Sequence, residues 1–207
     1  MTGHTTLILG GARSGKSSWA EQLAGQSEPQ VLFVATATAG DDEMAERIAS
    51  HQARRPALWR TVEEPTRLRD VIELHALPGE TVVVDCLTMW VSAVMLNAIA
   101  PEGDADSVAQ ATWSAIEASL ADELKSLCTL ARERDLSLIL VSNEVGMGIV
   151  PATPLGRHFR DILGRVNQAL GATADAVILM VAGLPFDLKR ASGDTPTPSP
   201  MPAPDRR

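Results

Sequence analysis

Gly10-Gly11-Ala12-Arg13-Ser14-Gly15-Lys16-Ser17 is the stretch that decides the fold. It fits the pattern of a glycine, four residues and Gly-Lys-Ser/Thr, and it stands between the short apolar run Thr6–Leu9 and a helical pattern beginning at Lys16. Strand, glycine turn, lysine, hydroxyl and helix in that order predict a phosphate-binding loop. Gly10 and Gly15 let the backbone turn sharply and bring its N–H groups, with those of Gly11, Ala12, Arg13 and Ser14, against phosphate oxygens. The helix that follows directs its positive end at the same place. Lys16 would neutralise the β- and γ-phosphates, and Ser17 would offer its hydroxyl to a Mg2+ bridging them.

Such a magnesium calls for an acid at the end of a neighbouring buried strand, and Val82-Val83-Val84-Asp85 supplies one. A carboxylate closing an apolar run is poorly solvated, so a cation or an ordered donor has to offset its charge. Capping of a helix over Cys86–Trp90 is the competing role for Asp85, and the loop's need for an acid favours the metal. The loop and the acid predict phosphoryl transfer or nucleotide hydrolysis without identifying an acceptor.

Working outward, short β-branched runs alternate with longer amphipathic stretches, the pattern of parallel strands joined by crossover helices. Strands are predicted at Thr6–Leu9, Val31–Ala35, Thr81–Asp85, Ser137–Ser142 and Ala176–Val181. Helices are predicted at Lys16–Ala24, Asp42–Ala53, Thr66–Leu74, Met89–Ala98, Ser107–Glu133 and Leu155–Leu170. The fold class is α/β: a P-loop NTPase fold of the RecA-like kind, with a mostly parallel central sheet flanked by helices. The segment Ile99–Asp106 carries Pro, Gly and acids and reads as an exposed loop.

The 207 residues suit one catalytic domain over 1–190 with a tail over 191–207. Hydrophobic residues nearly vanish in that Pro-rich tail, so it is expected not to order itself. Lys and Arg total 18 against 26 Asp and Glu, a formal charge of −8, and no dense basic run is present. That balance excludes nucleic acid as the main partner. The N-terminal run Thr5-Thr6-Leu7-Ile8-Leu9 meets glycines at once, too soon for a signal peptide or membrane span, and points to a soluble cytoplasmic protein. Cys86 and Cys128 lack metal-ligand or CxxC spacing and read as two buried thiols.

Further segments carry a resemblance. They are Val34-Ala35-Thr36, Asp41-Asp42-Glu43-Met44 with Arg47-Ile48 and His51, Arg55-Pro56, and Trp59-Arg60-Thr61. Asn143-Glu144-Val145-Gly146-Met147-Gly148-Ile149-Val150-Pro151, Arg157-His158-Phe159-Arg160-Asp161 and Gly164-Arg165-Val166-Asn167 follow in order. With the glycine loop, they make the chain, over roughly Leu7 to Lys189, resemble the bifunctional adenosylcobinamide kinase and adenosylcobinamide-phosphate guanylyltransferase family. The resemblance implies phosphorylation of adenosylcobinamide by ATP or GTP, then transfer of GMP from GTP to the resulting phosphate through a GMP-histidine intermediate. It also implies a homo-oligomer, with a trimer as the candidate assembly. His51 matches the nucleophile of that family. The resemblance further assigns nucleotide contacts to Val34, Ala35, Thr36, Gln52, Ala53, Arg54, Arg55 and Asp85, and guanine recognition to Glu63.

Taken without the family, His51 shares a helical face with Met44 and Ile48, which alone favours a core histidine. Arg47, Arg54 and Arg55 bracket it, and a basic collar suits an anionic ligand better than a packed core. A neutral imidazole can attack an α-phosphorus and later leave from the phosphoramidate. Thr36 reads equally as a nucleotide contact or as a strand terminus, and Glu63, beside Glu64, equally as a guanine acceptor or a surface acid. Asn143–Pro151 reads as a corrinoid-side or subunit-contact loop whose glycines permit movement. The 191–207 tail and the Ile99–Asp106 insert have no counterpart in the family pattern. Two other readings of the loop are a kinase of another small metabolite, with His51 structural, and a RecA-like ATPase module without a small-molecule acceptor.

Overall fold

The computed structural model describes residues 3–27, 30–37, 55–102 and 107–193. In chain order these form β1 (His4–Gly10), α1 (Lys16–Ser27), β2 (Val31–Ala35), β3 (Arg60–Glu63), α2 (Leu68–His75), β4 (Thr81–Asp85) and α3 (Leu87–Ile99). A 3-10 turn at Ala100–Glu102 leads toward α4 (Gln110–Glu133), β5 (Ser137–Val141), α5 (Pro154–Thr173), β6 (Ala176–Val181), β7 (Leu184–Asp187) and α6 (Leu188–Ala191). The predicted helix Asp42–Ala53 lies outside the described residues.

The strands join in the order β3-β2-β4-β5-β1-β6-β7, all parallel except β7, which pairs antiparallel with β6. Strands β1, β2, β4 and β5 are buried almost throughout because both faces of the sheet are covered. Period-two alternation divides their side chains into two cores. Leu7, Leu32, Val34, Val82, Val84, Leu138 and Leu140 face α2 to α5, with Trp90 and Leu127 among their partners. Ile8, Phe33, Val83, Ile139 and Val141 face Trp19, Ala20 and Ala24 of α1.

Two strands escape the sequence reading. β3 (Arg-Thr-Val-Glu) is an edge strand, mostly exposed, so it carries no apolar run. β7 (Leu-Pro-Phe-Asp) is also an edge and contains Pro185, which removes a ladder donor. A two-residue turn joins it to β6, with Ala182 and Gly183 at φ 51° and 80°. Two further differences concern the loop before α4. Ile99 ends α3 and is buried rather than belonging to an exposed loop, and α4 begins at Gln110 rather than Ser107.

β5 stands between β1 and β4, so the strand ending in Asp85 is not the immediate neighbour of the strand that feeds the glycine loop. Short apolar strands of similar composition leave pairing order open, and the sequence expectation of adjacency fails for that reason. Among the described residues no helix is long and apolar enough to cross a membrane. Cys128 is buried and Cys86, at the end of β4, is half-buried. Burial pushes both thiols above their ordinary range, and the neighbouring charge of Asp85 adds to the effect at Cys86.

Arg60, one of the residues in the family-like segments, has a structural task. Its Nη2 donates to both carboxylate oxygens of the buried Glu80 at 2.8 and 2.7 Å, while Nη1 donates to the His75 carbonyl. Glu80 also accepts the Leu77 N–H. The fork ties edge strand β3 to the turn before β4. Arg60→Ala leaves Glu80 without its counter-ion and is expected to destabilise the fold by about 2 kcal/mol. Thermal denaturation should then show a melting temperature lower by about 6 °C. An unchanged melting point would mean that β3 is held elsewhere.

Candidate active site

The glycine loop closes over the end of β1 and is fastened from two sides. The Gly10 carbonyl accepts the Glu144 N–H at 3.0 Å, and the Ser14 carbonyl accepts the Gly183 N–H at 3.0 Å. Gly10 has no room for a side chain: a Cβ there would meet the Met180 carbonyl oxygen at 2.5 Å and Ser14 Oγ at 2.6 Å. Gly15 turns into α1 with φ 98°, where only glycine is unstrained, and Arg13 also takes a left-handed conformation, φ 57°. Over Gly11, by contrast, a Cβ would meet nothing within 4 Å, so this side of the loop is open.

Lys16 opens α1 and is only 8% exposed, with Nζ 2.7 Å from the Gly11 carbonyl. Its side chain therefore curls back along the loop, bringing the ammonium into the turn itself. Ser14 Oγ is buried without a hydrogen-bonding partner among the described residues, a condition costing about 1–3 kcal/mol unless a ligand supplies one. An open face over Gly11, an orphaned hydroxyl, an ammonium folded into the turn and the first N–H groups of a helix together fit a polyphosphate.

Register places other predicted residues along one row. Ala35 pairs with Glu63 on one side and with Asp85 on the other, and Asp85 pairs with Val141, which pairs with Ile8. Glu63, Ala35 and Asp85 thus stand side by side at the carboxyl edge of the sheet, where ligands of open α/β sheets bind. Asp85 is two strands from β1, or roughly 10 Å, and Glu63 four strands, or roughly 19 Å. Val34 points into the core and is fully buried.

The structure separates Glu63 from Glu64. Glu64 Oε1 accepts the N–H groups of Thr66 and Arg67 and the Thr66 hydroxyl, closing the start of α2. Burial works to raise its pKa, but the bonds from Arg67 and Thr66 outweigh it and hold the carboxyl below its ordinary range. Glu63, exposed at the end of β3, has no such task among the contacts described. Thr36 is almost fully buried, and its hydroxyl accepts the Cys86 N–H at 2.7 Å and donates to the Cys86 carbonyl at 2.6 Å. It therefore ties the end of β2 to the segment after Asp85.

Arg55 lies on the α1 face. Its guanidinium carbon is 3.4 Å from the centroid of Phe33, whose ring stacks on Trp59, and Nη1 donates to Thr61 Oγ1. With Trp59 it lines a cavity of about 370 Å³ against Glu21, Gln22 and Gly25, beyond the first turn of α1. His51, Gln52, Ala53 and Arg54 lie outside the described residues.

A polar network that composition and spacing did not reveal anchors the end of β5. Ser142, fully buried, donates to Asn167 Oδ1 at 2.7 Å, Asn167 Nδ2 donates to the Asn143 carbonyl at 3.0 Å, and the Asn143 N–H donates to Thr88 Oγ1 at 2.8 Å. Asn143 and Asn167 stood in family-like segments, but sequence alone gave no hint that they meet. Beyond them the chain exposes Met147, Ile149 and Val150.

The family model for cobinamide kinase / cobinamide phosphate guanyltransferase matches residues 6–188. The chain is 45% identical over 183 residues to the bifunctional adenosylcobalamin biosynthesis protein CobU of Salmonella typhimurium, covering 88% of this chain and 98% of that protein. It is 44% identical to CobU of Escherichia coli with the same coverages, and 43% identical to the bifunctional adenosylcobalamin biosynthesis protein CobP of Pseudomonas aeruginosa, covering 88% and 96%. Among solved structures the RadB recombinase superposes with a TM-score of 0.47 at 17% identity, covering 86% of this chain and 74% of that one. A family match that starts inside β1 and runs past the end of β7 takes in the glycine loop, the row of Glu63 and Asp85 and the anchored end of β5. The chain belongs to the cobinamide kinase / cobinamide phosphate guanyltransferase family.

Proposed function

We propose that the chain phosphorylates the aminopropanol hydroxyl of adenosylcobinamide with ATP or GTP, and then transfers GMP from GTP to that phosphate, giving adenosylcobinamide-GDP. The observation that carries the reading is a complete phosphate-binding loop, open over Gly11 and lined by Lys16 and Ser14, in a chain matched across its whole sheet by one family. In the first reaction the acceptor oxygen bonds to the γ-phosphorus as the β–γ bridging bond breaks, and Lys16 offsets the charge that accumulates there. In the second, His51 attacks the α-phosphorus and releases pyrophosphate, after which the corrinoid phosphate displaces the histidine. Glu63 accepts from the guanine N1–H and amine, and Ala35 and residues 52–55 complete the nucleotide contacts, whereas Val34, buried in the core, and Thr36, whose hydroxyl is taken up by Cys86, support the end of β2 from beneath.

Mg2+ suits the donor set. Ser17, in the first turn of α1, offers a hydroxyl oxygen and Asp85, at the end of β4, a carboxylate, both hard donors of the kind Mg2+ takes beside the phosphate oxygens. Ser17 and Asp85 would hold it, and when bound it would neutralise the phosphate charge. Asp85→Asn keeps shape while removing charge, so half-maximal phosphorylation should need about tenfold more Mg2+ with nucleotide saturating. A titration superimposable on wild type would return Asp85 to a capping role.

The exposed Met147, Ile149 and Val150 lie beyond a turn whose Glu144 N–H is bonded to Gly10. An apolar surface at that position suits the flat corrinoid acceptor. Assembly as a homo-oligomer and action in the cytoplasm complete the proposal. Chromatography of the corrinoid after incubation with ATP, then GTP, tests it: the phosphate should appear first and the GDP derivative second. A product that stops at the phosphate would restrict the chain to kinase activity.

A further inference from the structure

Attack by a hydroxyl leaves one proton to be removed, and neither Lys16 nor a metal-bound Asp85 is suited to take it. Among the described residues, the carboxylates at the carboxyl ends of the parallel strands are Glu63 and Glu64 at β3, Asp85 at β4 and Glu144 after β5. Glu64 closes α2, Glu63 is four strands from β1, and Asp85 is the metal-side acid of the proposed reaction.

We propose that Glu144 is the catalytic base of the phosphorylation step. β5 lies between β1 and β4, so the chain leaving it emerges between the glycine loop and Asp85. The Glu144 N–H donates to the Gly10 carbonyl at 3.0 Å, which fixes this residue against the first residue of the phosphate loop. The residue before it is held by the buried Ser142–Asn167–Asn143–Thr88 network, in a place where apolar packing would serve an ordinary strand end. The residues after it lead into the exposed Met147, Ile149 and Val150. Glu144 therefore joins the phosphate-donor side of the site to the surface assigned to the acceptor. Its half-buried side chain accepts the Gly146 N–H through Oε1, so the carboxylate is oriented at the root of that loop.

In the reaction the acceptor oxygen forms its bond to the γ-phosphorus, the bridging oxygen leaves with the nucleoside diphosphate, and the hydroxyl proton passes to the Glu144 carboxylate. The assignment rests on the proposed kinase reaction and is separable from it by experiment.

Glu144→Gln keeps the carbonyl oxygen that the Gly146 N–H uses and removes the basic site. Phosphorylation of adenosylcobinamide should fall by about 100-fold or more in kcat, with KM for ATP changed by less than about threefold. Guanylylation of supplied adenosylcobinamide phosphate, which needs no proton removed from an acceptor hydroxyl, should stay within about threefold of wild type and so report an intact fold. Glu144→Asp, which retains a carboxylate, should be at least about tenfold faster than Glu144→Gln. A Gln variant with kcat within about threefold of wild type, an equal loss in both reactions, or equal rates for the Asp and Gln variants would overturn the assignment. Failure of wild type to phosphorylate adenosylcobinamide would overturn the kinase reading itself.

Discussion

Lys16→Ala loses phosphorylation of adenosylcobinamide by about 1,000-fold in kcat and binds ATP more weakly. Both effects follow from where the side chain lies. Lys16 is buried at the start of α1, with its ammonium 2.7 Å from the Gly11 carbonyl, inside the turn that would cradle the phosphates. Methyl in place of this arm removes the positive charge nearest the developing negative charge, in a buried turn where a charge is screened less than in bulk water. Initial rates over a range of ATP concentrations check the prediction. Turnover within about tenfold of wild type would mean that phosphoryl transfer occurs away from this loop.

His51→Asn separates the two reactions. Guanylyl transfer should fall by at least about 10,000-fold, because the covalent route loses its nucleophile. Phosphorylation should persist within about threefold, since the acceptor attacks the γ-phosphorus directly and needs the loop rather than the imidazole. Asparagine is close to histidine in polarity and size and has no nucleophilic ring nitrogen. The two activities are measured separately, with adenosylcobinamide and ATP in one assay and adenosylcobinamide phosphate and GTP in the other. Loss of both with an unchanged melting temperature would give His51 a place in the phosphorylation site as well.

Much of the sheet was legible because its central strands are short, apolar and buried on both faces. Val31–Ala35, Thr81–Asp85 and Ala176–Val181 occupy the predicted residues, and β1 and β5 differ by one or two at their ends. Edge strands give a weaker signal. β3 contains Arg60, Thr61 and Glu63 facing solvent or an ion pair, and β7 is interrupted by Pro185, so neither shows an apolar run. Pairing order was not legible either, which is why β5 intervenes where adjacency of β1 and β4 was expected.

The phosphate loop was the clearest part of the site, since its function depends on local backbone geometry that Gly10, Gly15 and Lys16 encode within eight residues. Roles that depend on partners distant in sequence were not. Sequence left Glu63 open as a guanine acceptor or a surface acid and gave no hint that its neighbour Glu64 holds the start of α2, and Arg60 gave no sign of its pairing with Glu80. Family membership also settles what the loop could not. It selects the cobinamide reactions over a kinase of another metabolite or an ATPase module.

Intact-mass measurement of the wild-type chain after incubation with GTP and Mg2+, with the corrinoid omitted, bears on the histidine route without any contribution from the acceptor. The expected result is addition of one GMP, released by brief acid treatment, stable in base and mapped by peptide sequencing to His51. A chain that remains unmodified, or that carries GMP on a different residue, would contradict guanylyl transfer through His51.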